Sequence, residues 1–282
     1  MKIYCVIPTY NEEVFIAQTL NSLVQQTVVP DEIVVVNDNS TDKTSEIIAD
    51  FEKKHKNISQ VFNESENKHL PGSKVIRAFN KGFETLDDSF DIIVKLDADL
   101  ILPTNYFERI IETFKKNNRI GMVGGFAYIK KNNEWILESL TDKDHIRGAF
   151  KAYRKECFIE IGGLKPAMGW DTVDELLCRF YNWKIITLDD LKVKHLKPTG
   201  ATYDKSARYK QGEAFYTLGY GFWITAVAGL KLALRKQKPL LFIDYLQGFF
   251  KAKNNKTKLL VTAEQAKFIQ NYRWKKMREK VF

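Results

Sequence analysis

Short unbroken apolar runs alternate with helix-period segments through the first half of the chain, and this alternation constrains the fold more than any other feature. "KIYCVIP" is a short β-branched run ending at Pro8, and "EEVFIAQTLNSLVQQ" follows with Val14, Ala17, Leu20, Leu23 and Val24 at helical spacing. "EIVVVND" reads as a second buried strand and "STDKTSEIIADFEKKH" as a second helix, with Ser40 or Thr41 as its N-cap. "SKVIRAFNKGFETL" gives a third helix, "FDIIVKLD" a third long strand, "NYFERIIETFKKN" another helix and "IGMVGGFAYI" another strand. Strands that are apolar throughout are buried on both faces. The pattern therefore predicts an α/β fold, a mostly parallel central sheet with helices on both sides.

Ligands of such sheets bind beyond the carboxyl ends of the strands. The polar residues found there are Thr9, Tyr10 and Asn11, then Asn37, Asp38, Asn39 and Ser40, then Asp97 and Asp99. The last pair brackets Ala98 in "VKLDADLIL", and two acids that close repel. A polar turn is one reading of the pair. A cation is the other, since a hard divalent ion such as Mg²⁺ or Mn²⁺ takes oxygen ligands and relieves the repulsion. Neither GxGxxG nor GxxxxGK[ST] occurs, which argues against a dinucleotide fold and a P-loop.

Beyond residue 134 the pattern is more mixed. "HIRGAFKAYRKECFIEIGGL" reads as a strand, a short helix and a Gly162–Gly163 turn, and "GWDTVDELLCRFYNW" opens a helix in which Thr172 and Glu175 have capping-box spacing. Two short strands follow, "KIITL" and "LKVKHL", the second ending at His195.

Charge divides the chain. Residues 205–282 carry 17 Lys and Arg against 4 Asp and Glu, leaving 27 against 31 in residues 1–204, out of totals of 44 and 35. The basic end is also aromatic, as in "EAFYTLGYGFWITAVAGLKLAL" followed by "RKQK" and "PLLFIDYLQGFFKAKNNK". These stretches fall short of the ~20 uninterrupted apolar residues of a spanning helix. Interleaved aromatics and basic residues suit helices lying in a membrane interface, attracted to anionic lipid; a helical subdomain with a solvated basic face is the plainer reading. Residues 1–204 are thus expected to form a catalytic domain and 205–282 a basic helical region associated with the membrane surface. Cys5, Cys157 and Cys178 are scattered, with no CxxC pair, which fits a reducing cytosol better than a disulfide framework or a zinc site. "MKIYCVIPTY" reads as a first strand rather than a signal peptide.

"VIPTYNEE", "VVVNDNSTDKT", "RAFNKGFE" and "VKLDADL", in this order over roughly residues 1–200, resemble the inverting family 2 glycosyltransferases and their GT-A fold. The resemblance implies transfer of a sugar from a nucleotide-diphosphate donor to a hydroxyl of a glycan or lipid-linked acceptor in cell-surface polysaccharide synthesis. It implies a donor site made by Pro8, Thr9, Tyr10 and Glu12, by Asp38 on the base, and by Asp97, Ala98 and Asp99. Asn37 stands where the family usually has a further acid. The DxD implies a divalent cation, Mn²⁺ or Mg²⁺, bridging the donor's diphosphate. His195 matches a strand-end histidine that several relatives give to the metal, and Asp97 is read as a metal ligand or a ribose contact. Lys74 is either a phosphate or base contact or a solvated lysine at a helix start.

An inverting transfer needs a base for the acceptor hydroxyl. Laying "GWDTVDELLCRFYNWKI" on the family's pattern puts Asp171 on its catalytic acid, with Asp174 as the rival and Glu175 as a structural capping partner; Trp170 occupies the usual preceding acid and is read as a surface for the acceptor sugar or as core. The expected location is the cytoplasm, peripheral on the inner face of the cell membrane. Two alternatives stand beside this reading. A nucleotidyltransferase would need a Gly-rich basic loop where this chain has "TYNEE". A non-catalytic protein gripping nucleic acid or membrane through its basic end would leave Asp38, Asp97, Asp99 and His195 without a purpose.

Overall fold

The computed structural model describes residues 1–65, 72–138, 145–197 and 209–279. They fall into two compact units, Met1–Pro166 with Tyr181–Thr199, and Ala167–Phe180 with Gly200–Phe282. The expected boundary at 204 lies outside the described residues. The units differ from the expected division in one respect: residues 167–180 group with the C-terminal helices.

The first unit is built on a 9-stranded sheet. Strands β1 (Ile3–Thr9), β2 (Glu32–Asp38), β3 (Ile58–Asn63) and β4 (Ile92–Leu96) pair in parallel in the order β3-β2-β1-β4. Beyond β4 the order continues through β8 (Phe150–Arg154), β6 (Ile120–Lys131), β9 (Lys184–His195) and β5 (Leu100–Ile101), with β7 (Glu134–Leu137) attached to β6. β8 is antiparallel to β4 and β6, whereas β9 is parallel to β6. β1, β2 and β4 are buried almost throughout, because helices α1 (Ile16–Val24), α2 (Thr44–Lys54), α3 (Ser73–Phe83) and α4 (Tyr106–Lys116) accompany them. α3 lies close on the sheet at Gly82, where a Cβ would stand 2.5 Å from Val36 Cγ2. α5 (Lys155–Glu160) follows β8, and Gly162 and Gly163 then turn the chain with positive φ, as expected.

Several local expectations are corrected. β3 was not anticipated, so the strand before Asp97 is the fourth. β1 runs through Pro8 to Thr9. α1 starts at Ile16; Val14 is exposed, and the buried face is Ile16, Thr19, Leu20 and Leu23. α2 starts at Thr44 rather than being capped by Ser40 or Thr41, which bind the loop after β1 instead. The two short strands expected before His195 are one continuous β9, with an irregular register opposite Gly124–Phe126.

The second unit contains α6 (Trp170–Phe180), α7 (Lys210–Thr217), α8 (Gly221–Arg235), α9 (Leu241–Asn254) and α10 (Ala263–Arg278). The amides of Thr172 and Val173 both donate to the Gly169 carbonyl, so α6 begins before Thr172 and the expected Thr172–Glu175 capping box is not its start. A capping box does form on α10, between Thr262 and Gln265. α7 and α9 cross at glycines: a Cβ on Gly212 would stand 1.8 Å from the Tyr245 carbonyl oxygen. Among the described residues no helix is long and apolar enough to cross a membrane. Trp223, Val227, Leu230 and Leu234 nevertheless form an exposed stripe at helical spacing on α8, Trp223 being 70% exposed.

Candidate active site

The loop after β1 is stapled to the loop after β2. Asn11 and Asn39 take left-handed backbone, with φ of 52° and 59°, a conformation asparagine tolerates. The Asn11 amide donates to Ser40 Oγ at 3.0 Å, Asn11 Oδ1 accepts from the Thr41 amide at 2.8 Å, and the Glu12 amide donates to Thr44 Oγ1 at 2.8 Å. Asn37 Oδ1 accepts from the Ser40 amide, which gives the residue replacing the family's acid a turn-holding role. Asp38 is oriented from β3: its Oδ1 accepts from Asn63 Nδ2 at 2.6 Å and its Oδ2 from Ser65 Oγ at 2.9 Å.

The Asp97–Asp99 segment is fixed from α1. Buried Thr19 donates through Oγ1 to the Ala98 carbonyl at 2.7 Å and accepts there from the Leu100 amide at 3.0 Å. Asp99 is drawn to β9, where Leu100 pairs with His195, and His195 Nε2 stands 3.2 Å from Asp99 Oδ2. Burial works to lower the His195 pKa, but the hydrogen bond and charge of Asp99 outweigh it and raise it overall. Asp97 Oδ1 pairs with the buried Lys95 ammonium.

All nine expected donor residues, Pro8, Thr9, Tyr10, Glu12, Asp38, Lys74, Asp97, Ala98 and Asp99, line one cavity of about 500 Å³. Gly72, Val75, Ala78 and Lys197 complete its lining and were not anticipated. Lys74 Nζ lies 5.9 Å from the centroid of the exposed Tyr10 ring. Lys197 Nζ holds Glu12 Oε1 at 2.9 Å, while Glu12 Oε2 is buried with no hydrogen-bond partner among the described residues. Burial pushes the Glu12 carboxyl above its ordinary range, against the opposing pull of Lys197.

Ligand atoms of Asp97, Asp99 and His195 lie within 4.8 Å of one another. His195 Nδ1 is buried without a hydrogen-bond partner among the described residues. Two carboxylates and an imidazole whose second nitrogen is unsatisfied fit a borderline-hard divalent cation. Asp171, Asp174 and Trp170 sit on α6 of the second unit, whereas the cavity is lined by the first unit alone. Trp170 and Asp174 are buried, the latter accepting at Oδ1 from the Glu175 amide at 2.6 Å, and Asp171 is half-buried.

A family model described as glycosyl transferase family 2 matches residues 4–167. The chain belongs to glycosyl transferase family 2. It is 31% identical over 184 residues to a poly-β-1,6-N-acetyl-D-glucosamine synthase of Staphylococcus epidermidis, covering 58% of this chain and 40% of that protein. It is 39% identical over 100 residues to the probable glycosyltransferase YdaM of Bacillus subtilis, covering 35% of this chain and 23% of that one. The chain thus spans well under two thirds of the length of these curated relatives. Among solved structures, S. aureus TarS 1–349 in complex with UDP-GlcNAc superposes with a TM-score of 0.60 at 20% identity, over 96% of this chain and 81% of that one. The mannosyltransferase PcManGT of Pyrobaculum calidifontis, in complex with GDP-Man and Mn²⁺, gives 0.58 at 17% identity, over 96% and 79%. These likenesses establish the GT-A fold, and family membership makes the chain a glycosyltransferase in place of the nucleotidyltransferase alternative.

Proposed function

We propose that this family 2 glycosyltransferase moves a sugar, with inversion, from a nucleotide-diphosphate donor to a hydroxyl of a glycan or lipid-linked acceptor in cell-surface polysaccharide synthesis. The observation that carries the reading is that the nine expected donor residues line one cavity, two of them belonging to the Asp97–Asp99–His195 group. Asp38, held by Asn63 and Ser65, presents its carboxylate to the base, and Glu12 and Lys74 flank the sugar-phosphate portion. Asp97, Asp99 and His195 hold Mn²⁺ or Mg²⁺. Such an ion supplies Lewis-acid stabilisation to the departing diphosphate. Asp171 removes the acceptor proton, with Asp174 as the rival for that role, and Trp170 offers a face to the acceptor sugar. The related N-acetylglucosamine polymer synthase and the UDP-GlcNAc and GDP-Man complexes of similar folds support a nucleotide-sugar donor.

The 1–204 segment carries donor chemistry, and 205–282 holds the enzyme peripherally at the cytoplasmic face of the membrane. Support comes from the exposed Trp223–Val227–Leu230–Leu234 stripe, the exposed Leu240, Ile243 and Phe250, and the intervening basic residues Lys231, Arg235 and Lys251. Apolar side chains flanked by cations partition into an anionic interface. The test is a panel of nucleotide-sugars scored for thermal stabilisation with and without Mn²⁺ or Mg²⁺, followed by the anomeric configuration of the product. A retained configuration, or no ion-dependent stabilisation by any donor, would refute the reading.

A further inference from the structure

We propose that the outer ends of β6, β7 and β9 form an accessory surface, outside the donor cavity, that captures an acidic glycan, a saccharide chain carrying phosphate or carboxylate groups. The inference rests on the glycan-acceptor reading above and deepens it by naming the charge of the chain and the surface that holds it.

β6 leaves the core as it runs outward, its first eight residues buried and its last four not. β9 alternates exposed and buried residues from Asp190 to His195. The register sets Tyr128 opposite Lys194 and Lys130 opposite Trp135, with Lys192 two residues before Lys194. Opposed residues share a face, and so do alternate residues of one strand, so these five side chains stand together. Val193 and His195 take the other face, and none of the five lines the donor cavity. The Lys192 ammonium lies 5.7 Å from the centroid of the Tyr128 ring, and the Lys194 ammonium 5.3 Å from that of Trp135.

An aromatic ring holds an ammonium but does not neutralise it. Among the described residues no carboxylate pairs with Lys130, Lys192 or Lys194. Asp190, two residues before Lys192, is held by Arg109 Nε at 2.8 Å, and Glu134 stands opposite Lys131 on the other face. Three exposed, uncompensated cations thus share one face within residues 1–204, where basic side chains number 27 against 31 acidic ones. Two of them are fixed in advance, so less ordering cost falls on an anion that binds. Their spacing selects a sparsely charged chain. Lys192 and Lys194 are about 7 Å apart along β9, whereas duplex DNA presents a charge every ~1.7 Å and would meet the acidic surroundings as well. A saccharide chain, its charges set apart by whole sugar rings, fits that spacing. Lipid fits less well: Tyr128 and Trp135 are half-buried, and among the described residues only Leu137 adds an exposed apolar side chain to this face.

The experiment measures binding of the full chain, without donor, to oligogalacturonate, dextran phosphate, neutral dextran, a DNA duplex and phosphatidylglycerol vesicles. At least one of the two acidic glycans is expected to bind at least about 10-fold more tightly than neutral dextran, and to weaken as salt is raised. Lys192→Gln/Lys194→Gln should lower that affinity about 10-fold or more, since two charge-assisted contacts are lost. Lys192→Arg/Lys194→Arg keeps both charges and should retain most of it. Stabilisation by nucleotide-sugar and Mn²⁺ should be the same in all three proteins, because neither lysine lines the donor cavity. Acidic glycans that bind no better than neutral dextran overturn the proposal, and so does unchanged binding by a folded Lys192→Gln/Lys194→Gln. If that variant does not fold, Lys130→Gln/Lys192→Gln decides by the same measure. DNA or vesicles that bind more tightly than either acidic glycan, and lose that binding in the same variant, refute the glycan and transfer the surface to nucleic acid or lipid. Absence of Mn²⁺-dependent donor stabilisation in the wild type counts against the donor reading alone, since glycan binding is measured without donor.

Discussion

His195 Nε2 and Asp99 Oδ2 are 3.2 Å apart, both side chains buried, at the one place where β5 and β9 pair. The short β5 thus brings the imidazole at the end of β9 beside the acid that follows β4. His195→Ala should weaken Mn²⁺ binding in the presence of nucleotide by about 10–100-fold, the usual range for losing support at a metal site. Calorimetric titration of the ion into the nucleotide-bound protein reads this directly, and an unchanged affinity would remove His195 from the cation group.

Asp171 and Asp174 separate by what their loss does. Asp171→Asn should leave nucleotide binding intact and lower transfer by about 10²–10⁴-fold, the contribution of a general base. Asp174 is 2% exposed and bonded to the Glu175 amide. Asp174→Ala, which leaves the Glu175 amide without that acceptor, should therefore show first as a stability loss of about 1–3 kcal/mol in denaturant unfolding. Normal transfer by Asp171→Asn, with inactive but stable Asp174→Asn, would exchange the two roles.

Glu12→Gln should separate stability from binding. Burial raises the Glu12 pKa above its unfolded value of 4.5. Stability is then fully present below that value and is lost as pH rises through the folded pKa. The neutral variant escapes this loss, so its melting temperature should match wild type in acid and exceed it at neutral pH. Nucleotide affinity should meanwhile fall about 10-fold, the worth of one hydrogen bond to a charged group. Equal melting temperatures across the whole pH range would contradict the burial argument.

Thr19→Val should loosen the acidic segment from behind. The hydroxyl serves the Ala98 carbonyl and the Leu100 amide at once, and valine leaves both buried groups unsatisfied. The expected cost is about 2–4 kcal/mol by chemical denaturation, together with weaker ion-dependent nucleotide binding. A variant within about 0.5 kcal/mol of wild type would show that these backbone groups find other partners.

Replacing Trp223 and Leu234 together with serine should reduce co-sedimentation with anionic vesicles at least about 10-fold without lowering the melting temperature, since both side chains are already exposed. Undiminished binding would move the membrane contact elsewhere on the molecule.

The acids of the proposed donor site were legible because they close buried strands, and burial on both faces writes a strand into sequence as an unbroken apolar run; Glu12, Ala98 and Lys74 lie off such strand ends, Lys74 on α3. Asp38 ends β2 beside Asn37, and Asp97 and Asp99 follow directly on β4. β3 escaped because it borders only one strand, so "ISQVFN" keeps polar residues and exposes Phe62. β5 is two residues long and carries no periodicity of its own. β9 looked like two strands because Asp189 and Asp190 interrupt its apolar pattern near the register irregularity. Ser40, Thr41 and Thr172 had the composition of helix caps, but local spacing does not reveal that Ser40 and Thr41 are claimed by the loop after β1. The burial of Lys95 is not legible for another reason: one lysine leaves the apolar run "IIVKL" intact, and nothing in the run says where its ammonium goes.

β9 is the last of the described strands in the chain, yet it lies between β6 and β5 rather than at the margin. It is inserted, not appended. A nascent polypeptide that has emerged only as far as α5 displays β6 with one side open and β5 with no partner among the described pairings. Open strand edges invite pairing with other chains. Ribosome-bound intermediates of this enzyme are thus most exposed to association in the interval before residues 184–195 leave the exit tunnel. That is the interval in which a holdase chaperone would protect its yield, and a stall placed there would be more damaging than one placed within the C-terminal helices.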